Sequence, residues 1–171
     1  MKLFMLISLS LIVGCASPSV QKTNRVSLEN LRSLAVGKTS EKEFTDILGY
    51  SNDRSEKDGY YTLNYYDQET QAQRISANFS KDSKTLMGYI WIPAEGENEI
   101  TLEGAKTRFQ KVEFKEEVVP KGDGHSQTEI TIYKDVKSGT LIRYNKTYRL
   151  VEAIGMYDVN SRVPATAPKS H

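Results

Sequence analysis

The sequence has little of what catalytic and metal centres are usually built from. Among its 171 residues there is one cysteine, Cys15, and there are two histidines, His125 and His171. A single cysteine cannot close an intramolecular disulfide, and a metal site ordinarily draws three or four ligands. His125 lies in a glycine-rich stretch beside Asp123, and His171 is the last residue of a proline-containing tail. Neither has the neighbours that a metal or acid–base centre needs, and Lys121-Gly-Asp-Gly-His125 lacks oxygen ligands at EF-hand spacing. No GxxxxGK[ST] loop occurs, and no GxGxxG follows a strand-like run. A charge bias is also missing: 23 Lys and Arg stand against 22 Asp and Glu, a formal net charge of +1. Basic residues are scattered among acidic ones, so nucleic acid is not an expected partner. These absences argue against an enzyme and call for no cofactor. A Ser/Asp hydrolase assembled only in space remains an open third reading, since triads are recognised by geometry.

What is present begins at the first residue. Met1 to Cys15, MKLFMLISLSLIVGC, opens with Lys2, continues as an uncharged, mostly apolar run, and closes on Gly14-Cys15. That is the layout of a secretory signal. The run is shorter than the ~20 apolar residues that a permanent membrane helix needs, and no second such run follows. Ile12-Val13-Gly14-Cys15 resembles the lipobox of bacterial lipoproteins, in which the cysteine thiol receives a diacylglycerol and the peptide is cut before it. Several acyl chains at about 0.8 kcal/mol per buried CH2 make a stable anchor, where one chain does not. The alternatives are an ordinary signal with an incidental cysteine, or a buried thiol. The resemblance implies a signal peptide over 1–14, lipidation (palmitate among the acyl chains) at Cys15 and a domain tethered to the membrane. With Ala16 after the cysteine, it implies the periplasmic face of the outer membrane in a diderm cell. Loss of Lys2 with the signal would bring the formal charge to zero.

Residues 15–26 are polar and read as a tether. From Ser27, Leu28, Leu31, Leu34 and Ala35 recur at helical spacing up to Gly37. A sharper helix follows: Ser40 with Glu43 three residues on makes a capping box, Phe44, Ile47 and Leu48 share a face, and Gly49 marks the end. Helices this short need an apolar partner. That partner is a sheet: Tyr60 to Tyr66 places Tyr61, Leu63 and Tyr65 on one face, Gln73 to Ser80 places Ile75, Ala77 and Phe79 together, and Leu86 to Ile92 is the third strand. After residue 93 the pattern weakens. Thr101 to Gln110 reads as a short helix carrying Leu102, Ala105 and Phe109, and Val112 to Val118, Glu129 to Tyr133, Thr140 to Tyr144 and Tyr148 to Met156 read as strands. Residues 120–127 read as a loop, and 160–171 as a disordered tail. The fold class is α+β, with two short N-terminal helices packed on an antiparallel sheet. The β-rich half, 93–159, either extends that sheet or forms a degenerate second copy of the unit.

Within 27–92, Leu34-Ala-Val-Gly37-Lys-Thr39-Ser-Glu-Lys-Glu43-Phe44-Thr-Asp-Ile-Leu48-Gly49 resembles the signature of BamE-like (SmpA/OmlA) outer-membrane lipoproteins. Gly37, Thr39 and Leu48-Gly49 match it. Phe44 replaces an aliphatic residue, and Ser51 stands where the family has proline. The resemblance also touches β-lactamase-inhibitor-like domains. It implies two helices on a three-stranded antiparallel sheet and a non-catalytic accessory role beside another envelope protein. Aromatic residues supply the candidate contact surface: Tyr60, Tyr66, Tyr89 and Trp91 crowd the meander, and an aromatic patch facing solvent would dock a protein. The competing assignment for these rings is core. The alternative function is a binding or inhibitor-like module for a small ligand, a peptidoglycan fragment or a soluble enzyme.

Overall fold

The computed structural model describes residues 26–94, 100–107, 113–119 and 129–160. The stretch read as a signal, Cys15, Asp123, His125 and the stretch read as a tail, from 161, lie outside them. Ser27 caps a single turn of helix, α1 (Leu28–Leu31), its hydroxyl accepting from the Asn30 N–H. The helical pattern expected to run on to Gly37 stops early. The Thr39 hydroxyl takes the Ala35 N–H, and Gly37 turns at positive φ so that its own N–H reaches the Leu86 carbonyl. Leu31 and Leu34 are still buried.

Helix α2 (Glu41–Leu48) starts at the expected capping box: Ser40 Oγ accepts from Glu43 N–H, and the Glu43 carboxylate accepts from Ser40 N–H at 2.8 Å. It buries Phe44 and Leu48 against the sheet. Phe44 meets Phe79 edge-on at 5.2 Å, and Phe79 stacks on Tyr61. Aromatic packing of this kind holds a short helix that propensity alone would not.

Eight strands among the described residues form one antiparallel sheet. They are β1 (Asp53–Lys57), β2 (Tyr60–Tyr66), β3 (Gln73–Ser80), β4 (Leu86–Trp91), β5 (Lys115–Val118), β6 (Ile130–Asp135), β7 (Thr140–Asn145) and β8 (Leu150–Tyr157), with helix α3 (Leu102–Thr107) before β5. Their order across the sheet is β1-β2-β3-β4-β8-β7-β6-β5. Helices and core lie on one face, which carries Tyr61, Leu63, Tyr65, Ile75, Ala77, Phe79, Trp91, Ile142 and Ile154. The fold is thus the α+β arrangement the sequence suggests, with the second half extending the sheet.

Among the described residues the second half also follows a plan similar to that of the first. In each half a helix, α2 or α3, is followed by a four-stranded meander, and α1 precedes the first. The helices carry matching caps, Ser40 on α2 and Thr101, whose Oγ1 accepts from Gly104 N–H. Asp67 and Asp135 head the β2–β3 and β6–β7 turns, each carboxylate accepting two backbone N–H groups. Those turns end on Gln71 and Gly139, both at positive φ. The β3–β4 and β7–β8 hairpins match more closely. Ser80 and Asn145 cap the N–H three residues on, Lys84 and Arg149 take positive φ, and the bulges fall at Met87 and Glu152. On this alignment Ile90 corresponds to Gly155, and these two residues face each other across the β4–β8 seam. An approximate two-fold axis therefore passes through that pair.

Candidate docking surface

The second face of the sheet carries no helix among the described residues. On β2 the alternation of buried and half-buried residues puts Tyr60, Thr62, Asn64 and Tyr66 on this side. Strand β3 adds Gln73, Ser76, Asn78 and Ser80, whose partners across the ladder are Tyr66, Asn64, Thr62 and Tyr60. These eight side chains are uncharged, and all can hydrogen-bond. They form a ladder: Thr62 Oγ1 donates to Asn78 Oδ1 at 2.7 Å, Gln73 Nε2 to Asn64 Oδ1 at 3.0 Å, and Asn64 Nδ2 to Asp53 Oδ2 at 3.2 Å. Charge appears at the margin, on Asp53 and Lys57 of β1 and at the start of β3 on Arg74, which is buried, donates to the Ile92 carbonyl and lies 3.8 Å from Asp67.

The shared plan supplies an internal comparison. Strands β6 and β7 hold the same places in the second unit, and on this face they present Ile130, Ile132, Lys134, Leu141, Arg143 and, at the end of β7, Asn145. Arg143 Nε is paired with Glu152 at 2.6 Å. The backbone plan is therefore compatible with an aliphatic and charged surface. The neutral amide and hydroxyl ladder is a property of the first unit, not a requirement of the fold.

Of the four aromatic residues expected at a contact surface, two are placed for it. Tyr60 and Tyr66 stand on the open face, half-buried, at the two ends of β2. Tyr89 and Trp91 correct the expectation: they lie on the helix-bearing face, with Trp91 only 1% exposed. Strand β4 is central in the sheet rather than the last strand of a meander, so β8 flanks it and pairs Tyr89 with Met156 and Trp91 with Ile154. Burial pushes the Tyr89 hydroxyl up to about 12. The polar ladder residues of β3 were legible in the alternation of Gln73 to Ser80, whose apolar half alone draws attention in the sequence.

Among the described residues no other constellation competes. Glu41, Tyr61 and Arg54 cluster where α2 meets β1: Tyr61 donates to Glu41 at 2.5 Å, and the Arg54 guanidinium lies 3.8 Å from the Tyr61 ring centroid. Burial, then the Glu41 carboxylate, raises the Tyr61 hydroxyl well above the usual phenol range, which keeps it a donor that pins the helix to the sheet. Among the described residues, no group of three or more His, Cys, Asp or Glu is placed to hold a metal, and no helix is long and apolar enough to cross a membrane.

No protein-family model matches the chain, and no curated protein matches it. Among solved structures, it is similar to a DUF4309 family protein (YjgB) from Bacillus subtilis, with a TM-score of 0.43 and 12% identity over 75% of this chain and 84% of that one. At that score and identity the likeness carries no argument about function.

Proposed function

We propose that this chain is a lipid-anchored, non-catalytic domain of the bacterial cell envelope that holds another envelope protein on the open face of its first unit. The observation that carries the docking surface is the uncharged ladder of β2 and β3 with Tyr60 and Tyr66 at its ends. Tyrosine, serine and asparagine together are the chemistry of adaptable protein-recognition surfaces: rigid rings supply area, and short polar groups supply hydrogen bonds. Exclusion of charge from the centre of a contact is a further mark of such surfaces. The lipobox at Ile12 to Cys15 supports the anchor and the outer-membrane, periplasm-facing address, and the BamE-like stretch from Leu34 to Gly49 supports an accessory or scaffold role.

Purification of the lipoprotein from native membranes in mild detergent tests the reading. One partner should co-purify in stoichiometric amount and be lost from a Tyr60→Ala/Tyr66→Ala variant. Recovery of the wild type alone contradicts it. Mass spectrometry of the same material tests the anchor, which requires an acylated Cys15 at the new N-terminus.

The same ladder supports a second reading, since hydroxyl and amide groups flanked by aromatic rings also suit an uncharged saccharide such as a peptidoglycan glycan strand. Binding of soluble glycan fragments by the purified domain, abolished in the same variant, would favour that reading over a protein partner.

A further inference from the structure

The two ends of the sheet differ in a way that bears on self-association. Strands β1 and β5 hold equivalent places in the two units, and no strand lies beyond either among the described residues. An edge strand exposes unpaired N–H and C=O groups, a template for another strand unless its side chains forbid it. All five residues of β1 and all four of β5 are exposed.

In β5, Lys115-Glu-Glu-Val118, every antiparallel self-pairing that overlaps three or four residues sets a glutamate against a glutamate. Both glutamates are also tied inward, Glu117 to Lys134 at 2.5 Å and Glu116 to Lys146 at 2.9 Å. Like charges directly opposite are destabilising, so this edge is protected.

Strand β1 reads Asp53-Arg54-Ser55-Glu56-Lys57. Laid antiparallel on its own copy about Ser55, it sets Asp53 opposite Lys57, Arg54 opposite Glu56 and Ser55 opposite Ser55, with every charge matched twice. Opposed residues of an antiparallel pair share a face, so these matches are geometrically consistent. A slip of two residues sets Arg54 against Arg54 or Glu56 against Glu56, and a parallel in-register pairing sets every charge against itself. The sequence thus selects one register of one orientation, the isologous arrangement of a two-fold dimer. Within one chain Arg54 already reaches Glu56 and Glu41, and Lys81 reaches Glu56, which orders these side chains at the exposed edge. The near-zero net charge of the molecule opposes association little.

We infer that β1 is a homodimerisation edge, through which two copies of this chain join their sheets antiparallel about Ser55. The edge adjoins the open face carrying Tyr60 and Tyr66, sharing Asp53 with its ladder, but the inference does not depend on what that face binds. The contact is a single short strand pair, so the dimer is weak, concentration-dependent and loosened by salt.

Cysteine cross-linking of the full chain in mild detergent tests it. In the two-fold register the Cα atoms of residue 55 stand about 4.5 to 5.5 Å apart, within disulfide reach. Ser55→Cys should therefore yield a disulfide-linked dimer under mild oxidation that the parent chain, with Cys15 alone, does not. Adding Asp53→Lys, or Lys57→Asp, turns two attractions into repulsions and should reduce the yield about tenfold. Mixing those two chains restores every match and should restore the cross-link, as should the double swap Asp53→Lys/Lys57→Asp in one chain. Rescue by mixing cannot come from misfolded variants. Absence of the Ser55→Cys dimer, equal yield from the single charge variants, or failure of the mixture to recover would each overturn the inference.

Discussion

Asp67 and Asp135 hold their turns only as carboxylates, because each accepts backbone N–H groups that a protonated acid would meet poorly. The Thr70 and Glu69 N–H groups hold Asp67 below the usual carboxylate range, and Ser138 and Lys137 do the same for Asp135. A carboxyl lowered in the folded state binds fewer protons than in the unfolded chain. Its contribution is therefore complete above about pH 5 and is lost as pH falls through the folded-state value. Chemical unfolding at pH 7 and at pH 3.5 should show a loss of stability at the acid end that is smaller in Asp135→Asn. Removal of the α2 cap by Ser40→Ala should lower stability by about 1 kcal/mol, measured by denaturant midpoint. Glycine is required at only one of the four matching turn ends. A Cβ on Gly139 would stand 1.9 Å from the Tyr157 carbonyl oxygen, so Gly139→Ala should destabilise by at least about 3 kcal/mol. Lys84 and Arg149 carry the strain of positive φ without that crowding, and Arg149→Gly should raise stability by about 0.5 kcal/mol.

The elements with alternating or helical apolar spacing were legible in the sequence: α2 with its cap, β2, β3 and β4, and in the second half β6, β7 and β8 to within two residues at their ends. Strand β1 was not, because Asp53 to Lys57 contains no apolar residue. As an edge strand exposed along its whole length, it is held by backbone pairing to β2 and by charge, which periodicity cannot register. Helix α1 was overread, since Leu31 and Leu34 reach the core equally well from a turn. The similarity of plan between the halves was hidden for a related reason. Its equivalences lie in turn caps, bulges and positive φ, which tolerate Ser80 for Asn145 and Lys84 for Arg149, so almost no identity survives. Half of the candidate surface was legible: the orientation of Tyr60 and Tyr66 follows from β2 alone. The burial of Tyr89 and Trp91 depends on β8, more than 60 residues further along, and no local pattern shows it. Helix α2 is held chiefly by Phe44, so Phe44→Ala should cost about 3 to 5 kcal/mol and detach the helix from the sheet.

Among the described residues, two similar units share one sheet and one continuous core, joined where β4 meets β8. Trp91, the single tryptophan, sits at that seam, so its fluorescence and far-ultraviolet circular dichroism should report one coincident unfolding transition. Two separated transitions would mean that the units fold independently. The two units differ on the open face, mostly neutral and tyrosine-flanked in the first, largely aliphatic and charged in the second, and that difference carries the functional account. Site-specific photocross-linking in living cells tests it most directly, with a photoreactive phenylalanine analogue placed in turn at Tyr60, Tyr66, Ile132 and Arg143. The account predicts one discrete adduct with a second envelope protein from positions 60 and 66 and none from 132 or 143. Equal labelling at all four positions, or adducts from the second unit alone, would contradict it.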